Sequence, residues 1–285
     1  MKVNALVSEI LKGDFMIDLA KVDEIYSIAT QLIATKQFPD LESKVDFAAA
    51  SVMTIENAEN TNEKPSKYGI VNLFGGIMRY DSCCALGSQS IAYDIFKYFN
   101  NDEIKGIIIN VDTPGGSVSA INPFIEVAKK KNKPIIALCD STCSLGYWAV
   151  CELADYIIAE NSITARFGSI GVVCTFQDAT EANEQKGIKT HEIYADESEH
   201  KNLSFRLAKE GKYEMIKEEH LKPLAIKFQS AVKTARPQII NEVGVFTGKT
   251  FTAEKALQLK MIDAIGNIDD AIEMINVLNE TKYNS

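Results

Sequence analysis

Two short stretches of this chain hold residue types that could break an acyl bond. Asp112-Thr-Pro-Gly-Gly-Ser117 is rich in glycine, and Ser141-Thr-Cys-Ser-Leu-Gly-Tyr-Trp148 carries a serine at its centre. A serine hydroxyl can attack a carbonyl carbon once a base takes its proton. Backbone N–H groups exposed by a glycine-rich turn can then hold the oxyanion, each contributing about 3 kcal/mol to barrier lowering. Ser144 is the candidate nucleophile, and at the start of a helix it would have first-turn N–H groups and the positive dipole end beside it. Gly146 would let the backbone pass close to a substrate. Each motif also has an ordinary reading, a serine N-cap and a tight strand-to-helix turn at Gly115-Gly116, so each gains weight only beside the other. The G-x-S-x-G elbow is absent, because Thr142 stands where that motif has glycine.

The base is not legible from residue types alone. His191, His200 and His220 form no motif with a carboxylate, and the chain has 30 Lys and Arg residues to choose from. A Lys whose pKa is lowered by burial or a like charge can serve. Ser198-Glu-His-Lys201 has the S-x-x-K spacing, but it lies in a highly charged stretch with no apolar run before it, which argues against a self-contained dyad there. Gly244-Val-Phe-Thr-Gly-Lys-Thr250 imitates a phosphate loop, with three residues between its glycines where four are needed.

The elements that must position these residues read as strands alternating with helices. Gly106–Val111 and Pro134–Cys139 are near-continuous apolar runs ending at the two motifs, and helices are expected over about 120–130 and 144–153. Tyr68–Phe74, Tyr156–Ala159 and Gly168–Cys174 read as further strands, and Ser88–Phe99 as a helix. Continuous Ile/Val runs mean strands covered on both faces, hence an α/β fold with largely parallel strands. Residues 1–60 read as a helical N-terminal extension, including a short helix near Phe47–Val52, with a polar linker over 56–67. The main domain then spans 67–280. It carries a charged helical stretch from Phe205 to Thr234 and a closing helix–strand–helix unit over 253–278.

Composition narrows the function classes. With 285 residues, 46% hydrophobic and 24% charged, the chain can build a sizeable soluble core. A net charge of −9 gives nucleic acid no electrostatic purchase. Six cysteines without C-x-x-C spacing fit a reducing cytoplasm, and the histidines form no metal-ligand pattern. No run of about 18 apolar residues predicts a membrane span, and no signal-peptide core is expected at the start.

Taken in order, Asp112-Thr-Pro-Gly-Gly116, Thr142-Cys-Ser-Leu-Gly-Tyr147 and Phe167-Gly-Ser-Ile-Gly-Val172 resemble the signal peptide peptidase A family of serine peptidases, its phage head-maturation (capsid assembly) branch included. The likeness runs from about Tyr68 to Ile275. It implies a Clp protease/crotonase-like spiral of ββα units, a Ser–Lys dyad, and no metal or cofactor. Carried over by position, Ser144 is the nucleophile and Lys201, in Ala195-Asp-Glu-Ser-Glu-His-Lys201, the base. Ser169 would orient that Lys, and Gly115, Gly116 and the N–H of Leu145 would form the oxyanion hole. Where the family has small residues before the Lys, this chain has Asp196, Glu197 and Glu199. Substrate is expected as an added strand beside Gly115–Val118 and Gly168–Val172, touching Ser117, Val118, Gly168, Ile170 and Gly171. The resemblance further implies ring-like homo-oligomers in which the Lys can come from a neighbouring subunit.

The expectation is therefore a serine endopeptidase acting on peptides or on capsid or scaffold proteins, in a bacterial or phage-infected cytoplasm or inside a prohead. A cytosolic signal-peptide-peptidase-like enzyme is one rival. A non-catalytic assembly member of the same fold is another, and a crotonase-type acyl-CoA enzyme would need carboxylates near the two turns.

Overall fold

The computed structural model describes residues 14–17, 50–55, 65–81, 86–176 and 178–283. In chain order the elements are β1 Asp14–Ile17, β2 Ala50–Ile55, β3 Ser66–Phe74, α1 Ser88–Phe99, β4 Ile104–Thr113 and β5 Gly115–Ser117. Then come α2 Ile121–Ala128, β6 Ile135–Cys143, α3 Leu145–Leu153, β7 Tyr156–Ala159, β8 Arg166–Gly168 and β9 Val173–Cys174. The rest comprises α4 Thr180–Gln185, α5 Leu203–Lys209, α6 Lys222–Ala235, β10 Thr250–Thr252, α7 Ala253–Gln258, β11 Ala264–Ile265 and α8 Ile268–Leu278.

A mixed sheet organises the molecule. Its path is β10-β8-β6-β4-β3-β2, with β7 on β6 and β11 on β7. The β3–β4, β4–β6, β6–β7, β6–β8 and β7–β11 pairs are parallel, whereas β2 and β10 join antiparallel at the two ends. The α/β class expected from the Ile/Val runs holds, and the side-chain alternation explains those runs. Ile107, Ile109 and Val111 of β4 and Ile135, Ala137 and Cys139 of β6 enter one core with Ile95, Phe124 and Leu145 from the helices. Ile108, Ile136, Leu138 and Ile158 face the other way, onto Ala271 and Ile275 of α8. A strand buried on both faces needs apolar residues at every position, and each fully buried Ile contributes about 1.5–3 kcal/mol.

Two expectations fail on the described residues. Asp14–Ile17 and Ala50–Ile55 are strands, not helix, and β2 pairs with β3 from Ala50↔Val71 to Ile55↔Ser66. Val52, Thr54 and Ile55 are β-favouring residues within the reach of an open sheet edge, and ladder bonding overrides weak helical periodicity there. The remainder of the N-terminal 60 residues lies outside the described residues. The long helix over Phe205–Thr234 is also interrupted. It stops at Lys209, turns at Gly211 with φ 78°, and resumes through a π-type turn, Ile216–Leu221, into α6.

The C-terminal elements lock onto this frame by polar contacts. Arg236, buried after α6, holds Asp263 with two hydrogen bonds of 2.7 and 2.8 Å, while Asp263 accepts the Ile157 N–H at 2.8 Å. Asp155 accepts the Ile135 N–H at 3.0 Å and faces Lys131, Lys282 and Tyr283. Asn267 and Asp270 form a capping box that starts α8.

Candidate active site

Because β4 and β6 are parallel neighbours, the two motif turns emerge side by side at their carboxyl ends, with Thr113 opposite Thr142. The turns interlock. A Cβ on Gly146 would come within 2.2 Å of the Thr113 methyl, so only glycine lets α3 begin this close to the end of β4. Thr113 is fully buried, and its hydroxyl donates to the Gly75 carbonyl at 2.6 Å. Gly116 is packed more tightly still, since its Cβ would sit 1.9 Å from the Ile77 carbonyl oxygen.

Ser144 stands at the junction of β6 and α3. The lower half of β6, Ile136–Cys139, pairs with β7, but its upper half, Ser141–Cys143, pairs with β8. The chain then turns sharply, with Ser144 at φ 52° and ψ −119°. Its N–H donates to the Gly168 carbonyl at 2.8 Å, and its carbonyl accepts the Trp148 N–H at 3.1 Å. A non-glycine residue at such a φ carries strain on the order of 1–3 kcal/mol, which persists only where surrounding contacts impose it. A strained strand-to-helix turn of this kind is how a nucleophile is raised on a hydrolase sheet. Behind it, α3 is fixed by Trp148 stacked on Phe228 at 5.0 Å and by Tyr147, whose hydroxyl donates to the Met261 carbonyl at 2.8 Å.

The loop that resembled a phosphate site proves to support this serine. Gly168 has φ 118° and Ser169 φ 54°, and the Ser169 N–H donates to the Lys249 carbonyl at 3.0 Å. Beyond it β10 pairs with β8, Thr250 opposite Gly168. Sequence reasoning dismissed Gly244–Thr250 for its spacing and so missed Lys249 as a scaffold residue; the glycines at Gly244 and Gly248, both at positive φ, were the available signal. The expected strand Gly168–Cys174 is likewise divided by these two positive-φ residues, leaving β8 and β9. Ile170 is buried in the core, and Gly171 lies half-buried between the two strands.

The glycine-rich turn divides its donors. Gly115, at φ 116°, gives its N–H to Thr113 Oγ1 at 3.1 Å. Its carbonyl accepts the Ile77 N–H at 2.8 Å, and the Ser117 N–H donates to Ile77 at 2.9 Å. Alternation along a strand therefore turns the Gly116 N–H and carbonyl to the opposite side. That side is occupied by β1, whose Met16 is the register partner of Gly116. Ser117 Oγ bonds Ser119 Oγ at 3.1 Å, and Val118 opens a 3₁₀ turn, so neither extends the strand edge beyond Ser117.

Lys201 comes from a different stretch of the chain. It is exposed, in a turn before α5, and its N–H donates to the Ser198 carbonyl at 3.0 Å. Asp196 and Glu197 form the 3₁₀ turn before it, and Glu199 pairs with His200 at 3.3 Å. Among the described residues no hydrogen bond or ion pair joins Lys201 to Ser144 or to Ser169. Burial pushes Cys139 and Cys151 up to about 12, which keeps them protonated. Among the described residues no group of three or more His, Cys, Asp or Glu is placed to hold a metal ion, and no helix is long and apolar enough to cross a membrane.

The sequence matches peptidase family S49 over residues 127–282. It is 27% identical over 228 residues to Protease 4 of Haemophilus influenzae, covering 76% of this chain and 36% of that protein. Protease 4 of Salmonella typhi is 24% identical over 266 residues, 90% of this chain and 42% of the relative. Capsid assembly protease C of Escherichia phage lambda is 24% identical over 186 residues, 60% of this chain and 39% of the relative. The chain thus spans less than half the length of these three relatives. Among solved structures, the membrane-bound stomatin-specific protease 1510-N with a substrate peptide superposes with a TM-score of 0.44 at 14% identity, covering 72% of this chain and 77% of that one.

Proposed function

The chain belongs to peptidase family S49, and from that premise we propose that it is a serine endopeptidase whose nucleophile is Ser144. The observation that carries this reading is the strained backbone of Ser144 at φ 52°, held beside the glycine-rich turn at the carboxyl ends of β4 and β6. Ser144 Oγ attacks the scissile carbonyl carbon while a neutral Lys201 takes its proton. The oxyanion accepts hydrogen bonds from the N–H groups of Gly116 and Leu145, the latter at the start of α3. Gly115 shapes that hole through Thr113 and Ile77 instead of donating to it. The protonated Lys passes its proton to the leaving amine, and water, deprotonated by the same Lys, cleaves the acyl-enzyme.

The exposed Lys201, with no side-chain partner among the described residues, supports a site completed by a second copy of the chain. This fits a ring-like oligomer acting on peptide or capsid and scaffold proteins, the role favoured here by the likeness to the lambda capsid assembly protease. That no hydrogen bond joins Lys201 to Ser144 among the described residues also fits a non-catalytic assembly role. Cleavage of casein and fluorogenic peptides by wild type, Ser144→Ala and Lys201→Ala decides between them. Both variants should be inactive alone, and mixing them should restore activity if the lysine acts across subunits. Unchanged cleavage by Ser144→Ala would remove the mechanism, and an inactive wild type would favour the assembly role.

A further inference from the structure

The slot expected to receive a substrate strand is already filled. β1 lies antiparallel between β5 and β9, with Ile17, Met16 and Phe15 opposite Gly115, Gly116 and Ser117, and with Phe15 and Asp14 opposite Val173 and Cys174. The three strands form a small sheet separate from the main one. Phe15 is the residue that pairs on both sides. An extended peptide adding to two strand edges at once is a β-augmentation complex in which main-chain bonds supply the affinity.

Three features connect this position with the proposed site. The Gly116 N–H, the proposed oxyanion donor, faces Met16 and not Ile77. The β5 edge continues directly from the turn that interlocks with Gly146, two residues beyond Ser144. Ser144 itself is only 1% exposed, so a peptide carbonyl reaches its hydroxyl only after something is displaced.

We infer that residues Asp14–Ile17 of the same chain are a built-in occupant of the groove between β5 and β9, competing with any external substrate strand. The site takes an extended peptide, antiparallel to both edges. This rests on the peptidase reading for its consequence but not for its geometry. If the occupant fills the slot nine-tenths of the time, external peptides bind about tenfold more weakly than to an open slot.

Two full-length variants test the inference. Phe15→Pro removes an N–H and the extended pairing on both sides, and should lower KM for a fluorogenic peptide about tenfold with kcat unchanged. In the Ser144→Ala background, a labelled peptide of residues 12–20 should bind the Phe15→Pro form about tenfold more tightly by fluorescence anisotropy. Asp14→Cys places a thiol opposite native Cys174; oxidation should trap the strand and abolish cleavage, and a reductant should restore it. Unchanged KM and affinity in Phe15→Pro, failure of the disulfide to form in the folded protein, or full activity of the cross-linked form overturns the inference. Tighter binding without cleavage by any form keeps the slot and defeats the serine mechanism instead.

Discussion

The Ser144 N–H donates to the Gly168 carbonyl at 2.8 Å, and both residues sit at positive φ, 52° and 118°. One hydrogen bond thus joins two strained turns, one ending β6 and the other ending β8. The position of Ser144 is set as much by β8 and the Lys249 loop as by its own strand.

Strain at Ser144 makes activity and stability oppose each other there. Ser144→Gly should abolish cleavage yet raise stability by about 1 kcal/mol, because glycine adopts this φ freely and the strain relieved exceeds its larger loss of conformational entropy on folding. Ser144→Ala should abolish cleavage without that gain. Thermal melts of the two variants side by side separate the effects.

Gly146 and Thr113 should behave as a coupled pair. Gly146→Ala drives a methyl to within 2.2 Å of Thr113 Cγ2 and should cost about 2 kcal/mol. Thr113→Ser removes that methyl while keeping the hydroxyl that bonds Gly75 and receives Gly115. The double variant should recover most of the loss, and a denaturation cycle with a coupling energy near zero would contradict the contact.

Arg236 secures the last quarter of the chain. Arg236→Met leaves the Asp263 carboxylate short of its bidentate partner and should cost about 3 kcal/mol. Arg236→Lys should recover only part of it, since one ammonium cannot reproduce the fork. Urea midpoints at constant slope read both values.

Asp155 predicts an acid limb. Burial alone would raise its pKa, but the charge of Lys131 and hydrogen bonds from Lys282 and the Ile135 N–H outweigh it and hold the carboxyl below its ordinary 3.8. The sign follows from a depressed acid. Its contribution is complete above about pH 4 and fades as pH falls through the folded-state value. Asp155→Asn should therefore cost about 3 kcal/mol at pH 7, and its deficit relative to wild type should shrink below pH 4. A deficit independent of pH would contradict the ion pairing.

The parallel strands and their helices were legible because burial on both faces writes itself into unbroken runs such as Gly106–Val111. Ser144 was legible as a candidate because it stands between a buried strand and a helix start beside a glycine-rich turn, although an ordinary N-cap is the other reading of that position. Three things were hidden. The engagement of the Gly115 N–H by Thr113 depends on a side-chain rotamer that no spacing encodes. The role of Lys249 depends on its carbonyl, which every residue possesses. The strand at Asp14–Ile17 depends on partners about a hundred residues or more away in sequence, and isolated four-residue segments carry no period of their own.

The divided pairing of β6 bears on how the site breathes. Its lower amides, Ile136–Cys139, belong to the ladder shared with β7 at the centre of the sheet, whereas Ser141–Cys143 belong to the ladder of β8 and the short β10. In hydrogen exchange the two halves of one strand should open as different cooperative units, the upper at lower free energy. The serine would then ride on a segment able to loosen and re-form while the sheet beneath it stays closed.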